Sequence, residues 1–192
     1  ISLSKKALIS VSDKRNLKKL LTNLKRHNIE IISSGGTYKK IIKLGFKCIE
    51  VSDYTGTPEI LDGRVKTLHT KIHAGILSNR DKRSHQTILK KLNFYEIDFV
   101  IVNFYPFEKT LNYTKNHNQI IKNIDIGGPA MVRSASKNYK YVTVITNSMQ
   151  YDELIHELNK NKGFTTLNFR KRMCEIAFAE TGYYDSLIAN YF

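Results

Sequence analysis

Short runs of apolar residues alternate along the chain with segments in which the apolar positions recur every three to four residues. The runs predict five buried strands, at residues 6–11, 30–33, 47–51, 99–103 and 142–145. The intervening segments predict helices, at residues 16–28, 38–44, around 88–92, and at 118–124, 130–138, 147–158 and from 168 onwards. This alternation is typical of an α/β fold, and we expect three layers: a mainly parallel sheet with helices on both faces.

Residues that start or stop helices refine several of these boundaries. Asp13 precedes the first helical segment as a candidate N-cap. Pro129 is expected at the first position of a helix, where a missing N–H is tolerated. Asn147 and Gln150 have the spacing of a capping box, and Gly182 is a candidate break in the last helix.

The composition is that of one globular domain with a basic surface. The 192 residues predict a single domain, 1–192, and 31 Lys and Arg against 17 Asp and Glu give a formal net charge of +14. The lysines are scattered, with no run of five or more and no interleaved aromatic residues, so nucleic acid is not the expected partner. A solvated basic surface that attracts an anionic small molecule is the simpler interpretation.

The cysteines and the apolar runs bear on location. Cys48 and Cys174 are far apart and belong to no Cys-x-x-Cys or Cys/His pattern, which indicates reduced thiols rather than a disulfide framework or a zinc module. No apolar run approaches the roughly 18 residues of a membrane helix, and the first residues lack the apolar region of a signal peptide. We therefore expect a cytoplasmic protein with no membrane partner.

Three predicted strand-to-helix junctions carry small or hydroxyl-bearing residues, at 10–14, 33–37 and 125–129. In a parallel sheet, such junctions gather at the carboxyl edge, where backbone N–H groups and helix N-termini favour anions. The most distinctive is Ser34-Gly35-Gly36-Thr37, because two glycines let the backbone approach an oxyanion and the hydroxyls add donors. The alternative is a tight turn in which glycine supplies a positive φ.

A cluster of cationic and hydroxyl side chains follows in the next loop. Arg64 offers a planar fork for phosphate, Lys66 a point charge and Thr67 a hydroxyl donor. His69 and His73 have helical spacing for two metal ligands, but no third ligand with suitable spacing follows. We expect no metal here and packing roles for both histidines.

Further candidate groups lie in the second half of the chain. Asn103 and Tyr105 end the most apolar predicted strand and should project at the carboxyl edge of the sheet. The alternative for Tyr105 is a core tyrosine with a satisfied hydroxyl. Asp125 and Lys137 bracket a Gly-Gly-Pro turn and its helix, where an N-cap acid and a surface lysine are the plainer roles.

Taken together, these segments resemble one family over nearly the whole chain. The motifs, in order, are Ser10-Val-Ser-Asp-Lys14, Ser34-Gly-Gly-Thr37, Val51-Ser-Asp-Tyr-Thr-Gly56, Pro58-Glu59, Gly63-Arg-Val-Lys-Thr-Leu-His69, Asn103-Phe-Tyr-Pro-Phe107, Ile124-Asp-Ile-Gly-Gly128, Val132-Arg-Ser-Ala-Ser-Lys-Asn138 and Tyr184-Asp185 through Asn190-Tyr-Phe192. They are similar to the inosine monophosphate cyclohydrolase domain of the bifunctional purine biosynthesis proteins. The sequence departs from that pattern at Thr57, Thr70, Ala130 and Glu180, where the family usually has Phe, Pro, Thr and His.

The resemblance implies a methylglyoxal-synthase-like fold and closure of the purine ring. In that reaction, 5-formamidoimidazole-4-carboxamide ribotide loses water to give inosine monophosphate, with no cofactor and no metal. The family's transformylase is a separate C-terminal domain, which we expect to be absent from residues 1–192. The sequence leaves a homodimer open.

The resemblance also implies roles for individual residues. The nucleotide, chiefly its phosphate, would be held by Ser12, Lys14, Ser34, Gly35, Gly36, Thr37, Arg64 and Thr67. The base would be held by Asn103 and by the backbone at Asp125, Ile126 and Gly127. Four catalytic candidates would surround the ring being closed, with their proton-transfer roles still open: Lys66, Tyr105, Asp125 and Lys137.

Three other interpretations compete with this one. A non-catalytic nucleotide-sensing module, as in carbamoyl phosphate synthetase, shares the implied fold but would lack the four catalytic candidates together. Methylglyoxal synthase would need a carboxylate-rich site for enolisation, which the motifs do not supply. A nucleic-acid-binding protein would rest on net charge alone, and weak, salt-independent DNA binding would exclude it.

Overall fold

The structure is a computed structural model that describes residues 4–192, so residues 1–3 of the predicted 1–192 domain lie outside the described part. Its five strands are β1 (Lys6–Val11), β2 (Glu30–Ser33), β3 (Ile49–Glu50), β4 (Phe99–Asn103) and β5 (Thr143–Ile145). The α-helices of residues 4–192 are α1 (Leu17–Arg26), α2 (Gly35–Lys43), α3 (Val51–Thr55), α4 (Thr70–Leu77), α5 (Arg83–Lys91), α6 (Phe107–Tyr113), α7 (His117–Lys122), α8 (Gly127–Lys137), α9 (Tyr151–Lys160) and α10 (Leu167–Tyr191). None of these helices is both long enough and apolar enough to cross a membrane.

One sheet runs through the centre of the molecule in the order β3-β2-β1-β4-β5, with every neighbouring pair parallel. The chain leaves β1 towards β2 and β3, and it leaves β4 in the opposite direction towards β5. Because parallel crossover connections are right-handed, α1 and α8 lie on opposite faces of the sheet. α9 packs beside α1, and α10 packs on α8 and β5. The predicted three-layer α/β fold is thereby confirmed.

The central strands are apolar along most of their length because helices cover both faces of the sheet. On α1, the side chains of Leu17, Leu20, Leu21 and Leu24 are all buried against this core, while the lysines between them are exposed. Burial of each leucine stabilises the fold by about 1.5–3 kcal/mol. Packing in this core holds the carboxyl ends of β1 and β4 in fixed positions.

Two helices begin three residues earlier than the apolar pattern predicts. α2 starts at Gly35. α8 starts at Gly127, because the Asp125 carboxylate accepts the Gly128 N–H at 2.9 Å and caps the first turn. Pro129 fits inside that turn, since N–H groups there have no helical partner. Apolar periodicity misses both starts because the first turns are built from glycine and proline.

Other local predictions are wrong for identifiable reasons. Asp13 does not cap α1, because its carboxylate accepts hydrogen bonds from Arg15 and the N-cap position is held by Asn16. β3 is only two residues long, since Val51 already begins α3. The apolar pattern also fails to predict α4 and α6.

Signals near the end of the chain are confirmed in part. Asn147 and Gln150 form the predicted capping box, which opens a short 3-10 turn ahead of α9. α10 is continuous through Gly182, where no neighbouring group crowds the α-carbon. A single glycine costs a helix only about 1 kcal/mol, and packing of α10 on α8 offsets it.

Candidate active site

A cleft opens at the carboxyl edge of the sheet, where the strand order reverses. β1 and β4 are neighbours, and Val11 pairs with Asn103 at their ends. Connections leave these two strands in opposite directions, so the loops beyond them separate and leave a crevice. The cleft measures about 1160 Å³. This is the position at which open α/β sheets bind ligands.

The cleft collects all the predicted site residues except Lys137. Those that line it are Ser12, Lys14, Ser34, Gly35, Gly36, Thr37, Arg64, Lys66, Thr67, Asn103, Tyr105, Asp125, Ile126 and Gly127. They come from the three predicted junctions, from the loop before α4 and from the end of β4, so distant parts of the sequence meet at one edge of the sheet.

The first junction is held in shape by Asn103. Its side-chain oxygen accepts hydrogen bonds from the Ser12 N–H at 2.7 Å, the Ser12 hydroxyl at 2.8 Å and the Asp13 N–H at 3.0 Å. Lys14 reaches back to donate to the carbonyl oxygen of Val11 at 2.8 Å. Desolvation by burial lowers the pKa of Lys14, although the nearby Asp13 opposes that shift. Asn103 therefore orders this loop as well as facing the cleft.

The second junction presents the N-terminus of α2 to the cleft. Gly35 has a φ of 56°, which is why glycine is required there, and Gly36 is exposed to open space. The first N–H groups of a helix have no internal partner and carry a partial positive charge, so they suit an anion. The Thr37 hydroxyl is buried and bonded to both the N–H and the carbonyl of Val11. Thr37 thus builds the wall of the site, and its hydroxyl is already engaged.

The loop before α4 delivers Lys66 through an unusual turn. Leu61, Asp62 and Gly63 are consecutive left-handed residues, with φ values of 53°, 53° and 82°. A left-handed conformation costs a non-glycine residue roughly 1–2 kcal/mol, so the surroundings must hold this turn. Lys66 Nζ forms an ion pair with Glu59 at 2.8 Å, and a Cβ on Gly63 would fall 2.6 Å from atoms of both partners. Because glycine has no Cβ, the side chains of Glu59 and Lys66 can lie close to the backbone of the turn.

The third junction holds Asp125 in a partly buried position. Its carboxylate accepts the Gly128 N–H, and its own backbone N–H donates to the Tyr184 hydroxyl oxygen at 2.8 Å. Desolvation by burial raises the pKa of Asp125, while hydrogen bonds from the backbone of Gly128 and Tyr105 oppose the shift. A carboxyl group with a raised pKa is suited to exchange protons.

The glycines of the third junction allow close approach. A Cβ on Gly127 would fall 2.6 Å from the Thr67 hydroxyl oxygen, and one on Gly128 would fall 2.5 Å from the Asp125 carboxylate. Larger residues would push apart the groups that the cleft brings together.

Tyr105 is exposed at the mouth of the cleft, so it is not a core tyrosine. Its neighbour in the cleft, Ile126, is also exposed. The Tyr105 ring and the Ile126 side chain offer apolar surface to a planar ring of a ligand, and the Tyr105 hydroxyl can hydrogen-bond to a polar group on its edge.

Lys137 lies outside this cleft, so a single chain does not bring it together with the other three catalytic candidates. It is the last residue of α8, whereas the first residue of that helix, Gly127, lines the cleft. Ten residues of helix separate the two by about 15 Å. Lys137 is exposed and borders a different depression, beside Arg133, Cys174 and Phe178.

The histidines have the expected packing roles. His69 caps α4 by accepting the Lys71 N–H at 3.0 Å, and Nδ1 of His73 lies 3.0 Å from the Ser134 hydroxyl. Among residues 4–192, no group of three or more His, Cys, Asp or Glu side chains could hold a metal ion.

Two residues near the site have contacts that sequence reasoning did not assign. Glu59 pairs with Lys66, and Tyr184 bonds the backbone of Asp125. Both belong to motifs that carry the family resemblance, but spacing alone did not indicate what they would touch.

Comparison with known proteins shows similarity to two family models and to a set of curated relatives. Residues 16–130 match the family model of the MGS-like domain, and residues 135–192 match that of the AICARFT/IMPCHase bienzyme. The bifunctional purine biosynthesis protein PurH of Rhizobium rhizogenes is 45% identical over 98% of this chain, and that of Clostridioides difficile is 48% identical over 99%. The chain spans only 35% and 37% of the length of these two relatives.

A solved structure supports the fold independently. The crystal structure of ForH superimposes with a TM-score of 0.87 at 29% identity, covering 97% of this chain and 98% of that one. The likeness to PurH extends over nearly all of the chain, and the first family model covers more than half of it. The chain therefore belongs to the MGS-like domain family.

Proposed function

We propose that this chain is an inosine monophosphate cyclohydrolase. The observation that carries the proposal is the meeting of Lys66, Tyr105 and Asp125 with an anion-binding helix N-terminus in one cleft. The similarity of residues 135–192 to the AICARFT/IMPCHase bienzymes supports the same reaction. The substrate would be 5-formamidoimidazole-4-carboxamide ribotide, and the products inosine monophosphate and water.

The proposed reaction depends mainly on how the enzyme positions its substrate. A carboxamide nitrogen, which is a poor nucleophile, must attack the formyl carbon of the same molecule, so fixing the reactive conformer supplies much of the rate. Negative charge then develops on the former formyl oxygen and must be stabilised by donors. That oxygen finally leaves as water, which requires an acid. Lys66, Tyr105 and Asp125 offer an ammonium donor, a phenol and a carboxyl group with a raised pKa for these steps.

The phosphate of the substrate would sit at the N-terminus of α2. Lys14 and Arg64 line the same cleft as that helix start. Backbone N–H groups, a helix dipole and these two cations favour a dianion. The formal net charge of +14 would speed the arrival of such a substrate. The base would then lie towards Asn103 and the loop from Asp125 to Gly127.

A homodimer follows if Lys137 is catalytic, as the family resemblance implies. Lys137 lies about 15 Å along α8 from the cleft of its own chain, too far to touch the same ring as Lys66. Its ammonium would then have to enter the cleft of a second copy. The exposed depression that it borders, with Phe178, would become part of the contact between copies.

The domain boundaries and the location complete the proposal. We infer that residues 1–192 form one cyclohydrolase domain and that a transformylase activity would need sequence beyond these residues. A cytoplasmic location is consistent with the two cysteines, Cys48 and Cys174, which are free.

The proposal is tested by adding the formylated ribotide to the purified chain and following ultraviolet absorbance. Inosine monophosphate should form without metal or cofactor. No folate-dependent formylation of the unformylated ribotide should occur in the same preparation. Failure to form inosine monophosphate in a folded sample would contradict the cyclohydrolase assignment, and folate-dependent formylation would contradict the assignment of domains.

The phosphate position leads to a separate prediction about binding. Lys14→Ala and Arg64→Ala should each weaken the binding of inosine monophosphate by about 10- to 150-fold, because a charge-assisted hydrogen bond contributes roughly 1.5–3 kcal/mol. Titration calorimetry measures this, with Lys18→Ala as the control, since Lys18 is exposed on α1 outside the cleft. Wild-type affinity in both variants would place the phosphate elsewhere.

A further inference from the structure

The C-terminal helix α10 reaches the third junction through one side chain. Tyr184 is only 5% exposed, and its hydroxyl oxygen accepts the Asp125 N–H at 2.8 Å. No other hydrogen bond within residues 4–192 joins α10 to the loop that carries Asp125. This contact therefore links the last helix of the chain to a catalytic candidate.

The Tyr184 ring is held firmly in place. Its centroid lies 5.0 Å from that of Phe104 in a tilted arrangement and 6.4 Å from that of Phe107 in an edge-on arrangement. Phe104 directly follows Asn103, whose side chain orders the first junction. The hydroxyl is thus fixed relative to both β4 and the first junction, and a fixed acceptor defines where the Asp125 backbone lies.

The hydrogen bonds from Tyr184 and Gly128 act on different parts of Asp125. Tyr184 holds the backbone N–H, while Gly128 holds one carboxylate oxygen. Together they restrict both the position of the α-carbon and the rotation of the side chain. If the Tyr184 hydroxyl is removed, the Asp125 N–H loses its partner, and only the backbone hydrogen bonds to the carboxylate, from Gly128 and Tyr105, still orient the residue.

We propose that Tyr184 is a positioning residue that sets the orientation of the Asp125 carboxyl group for proton transfer. This inference rests on the proposed cyclohydrolase function. Tyr184 does not line the cleft, so its effect on substrate passes through Asp125. A misplacement of about 1 Å in a reacting group is enough to slow a reaction on the order of 100-fold.

The test compares two tyrosines of the same aromatic cluster. Tyr184→Phe keeps the ring and removes the hydroxyl, and it should lower kcat by about 10- to 100-fold, a larger factor than any loss of affinity for inosine monophosphate. Tyr191→Phe is the matched control, because its ring also packs on Phe107 and its hydroxyl bonds His117 at 2.7 Å, outside the cleft. The control should keep wild-type kcat.

A second readout does not depend on activity. In Tyr184→Phe, the backbone amide proton of Asp125 should exchange with solvent faster than in the wild type, as followed by nuclear magnetic resonance. An unchanged kcat or an unchanged exchange rate in Tyr184→Phe would overturn the inference, as would loss of the fold or an equal effect in Tyr191→Phe. Absence of turnover in the wild type would instead overturn the proposed function, and the exchange rate would still test the contact.

Discussion

Mixing Lys66→Ala chains with Lys137→Ala chains is expected to restore turnover that neither variant shows alone. Each variant by itself should lose about 10²- to 10⁴-fold in kcat, the range typical of a group that assists proton transfer. If Lys137 enters the cleft of a second copy, a mixed dimer contains one cleft with both lysines intact. Random assortment makes about half of the dimers mixed, so activity should recover to about a quarter of the wild-type value.

A matched mixture shows whether the recovery has this cause. Lys66→Ala mixed with Asp125→Asn should recover nothing, because Lys66 and Asp125 line the same cleft of the same chain. Sedimentation or light scattering confirms that dimers form in each mixture. Mixed dimers without recovery in the first mixture would exclude a shared site, and near-normal kcat in Lys137→Ala alone would remove Lys137 from the catalytic group.

The fold was largely predictable because its strands are buried on both faces. β1 and β4 are short runs of mostly apolar residues, the pattern typical of parallel strands covered by helices on both faces. The predictions were wrong where local hydrogen bonds override the apolar pattern. The start of α8 depends on the Asp125 carboxylate, and the Asp13 carboxylate accepts hydrogen bonds from Arg15 instead of capping α1.

The sequence allowed us to predict which residues line the cleft, apart from Lys137, but not which of their polar groups are already hydrogen-bonded within the protein. Parallel strands bring their carboxyl ends to one edge, so residues that follow β1, β2 and β4 had to meet. Spacing does not show which donors are already engaged, however, and the Thr37 hydroxyl turned out to be bonded to β1. Nor does spacing show how far along α8 a residue lies from the cleft, which is why the separation of Lys137 from the cleft of its own chain was not predicted.

Replacing Asp125 is expected to remove activity and to stabilise the fold at the same time. Asp125→Asn keeps the shape and the acceptor oxygen for Gly128, but it cannot exchange a proton, so kcat should fall by about 10²- to 10⁴-fold. Burial raises the pKa of Asp125 above its ordinary value of 3.8, so the folded protein holds this proton more tightly than the unfolded chain. Ionising the group at neutral pH therefore costs stability in the wild type, and asparagine avoids that cost.

The pH dependence of this stability difference follows from the same shift. The advantage of Asp125→Asn should be full above the raised pKa, should shrink as pH falls through that pKa, and should be gone below 3.8, where the wild-type carboxyl is protonated in both states. Asp13 provides a control of opposite sign, because hydrogen bonds from Arg15 lower its pKa to about 2. Asp13→Asn should lose stability at neutral pH and lose that deficit as pH falls below 3.8. Urea unfolding from acidic to neutral pH measures both variants, and a less stable Asp125→Asn at neutral pH would show that the carboxylate is held by favourable contacts that outweigh its burial.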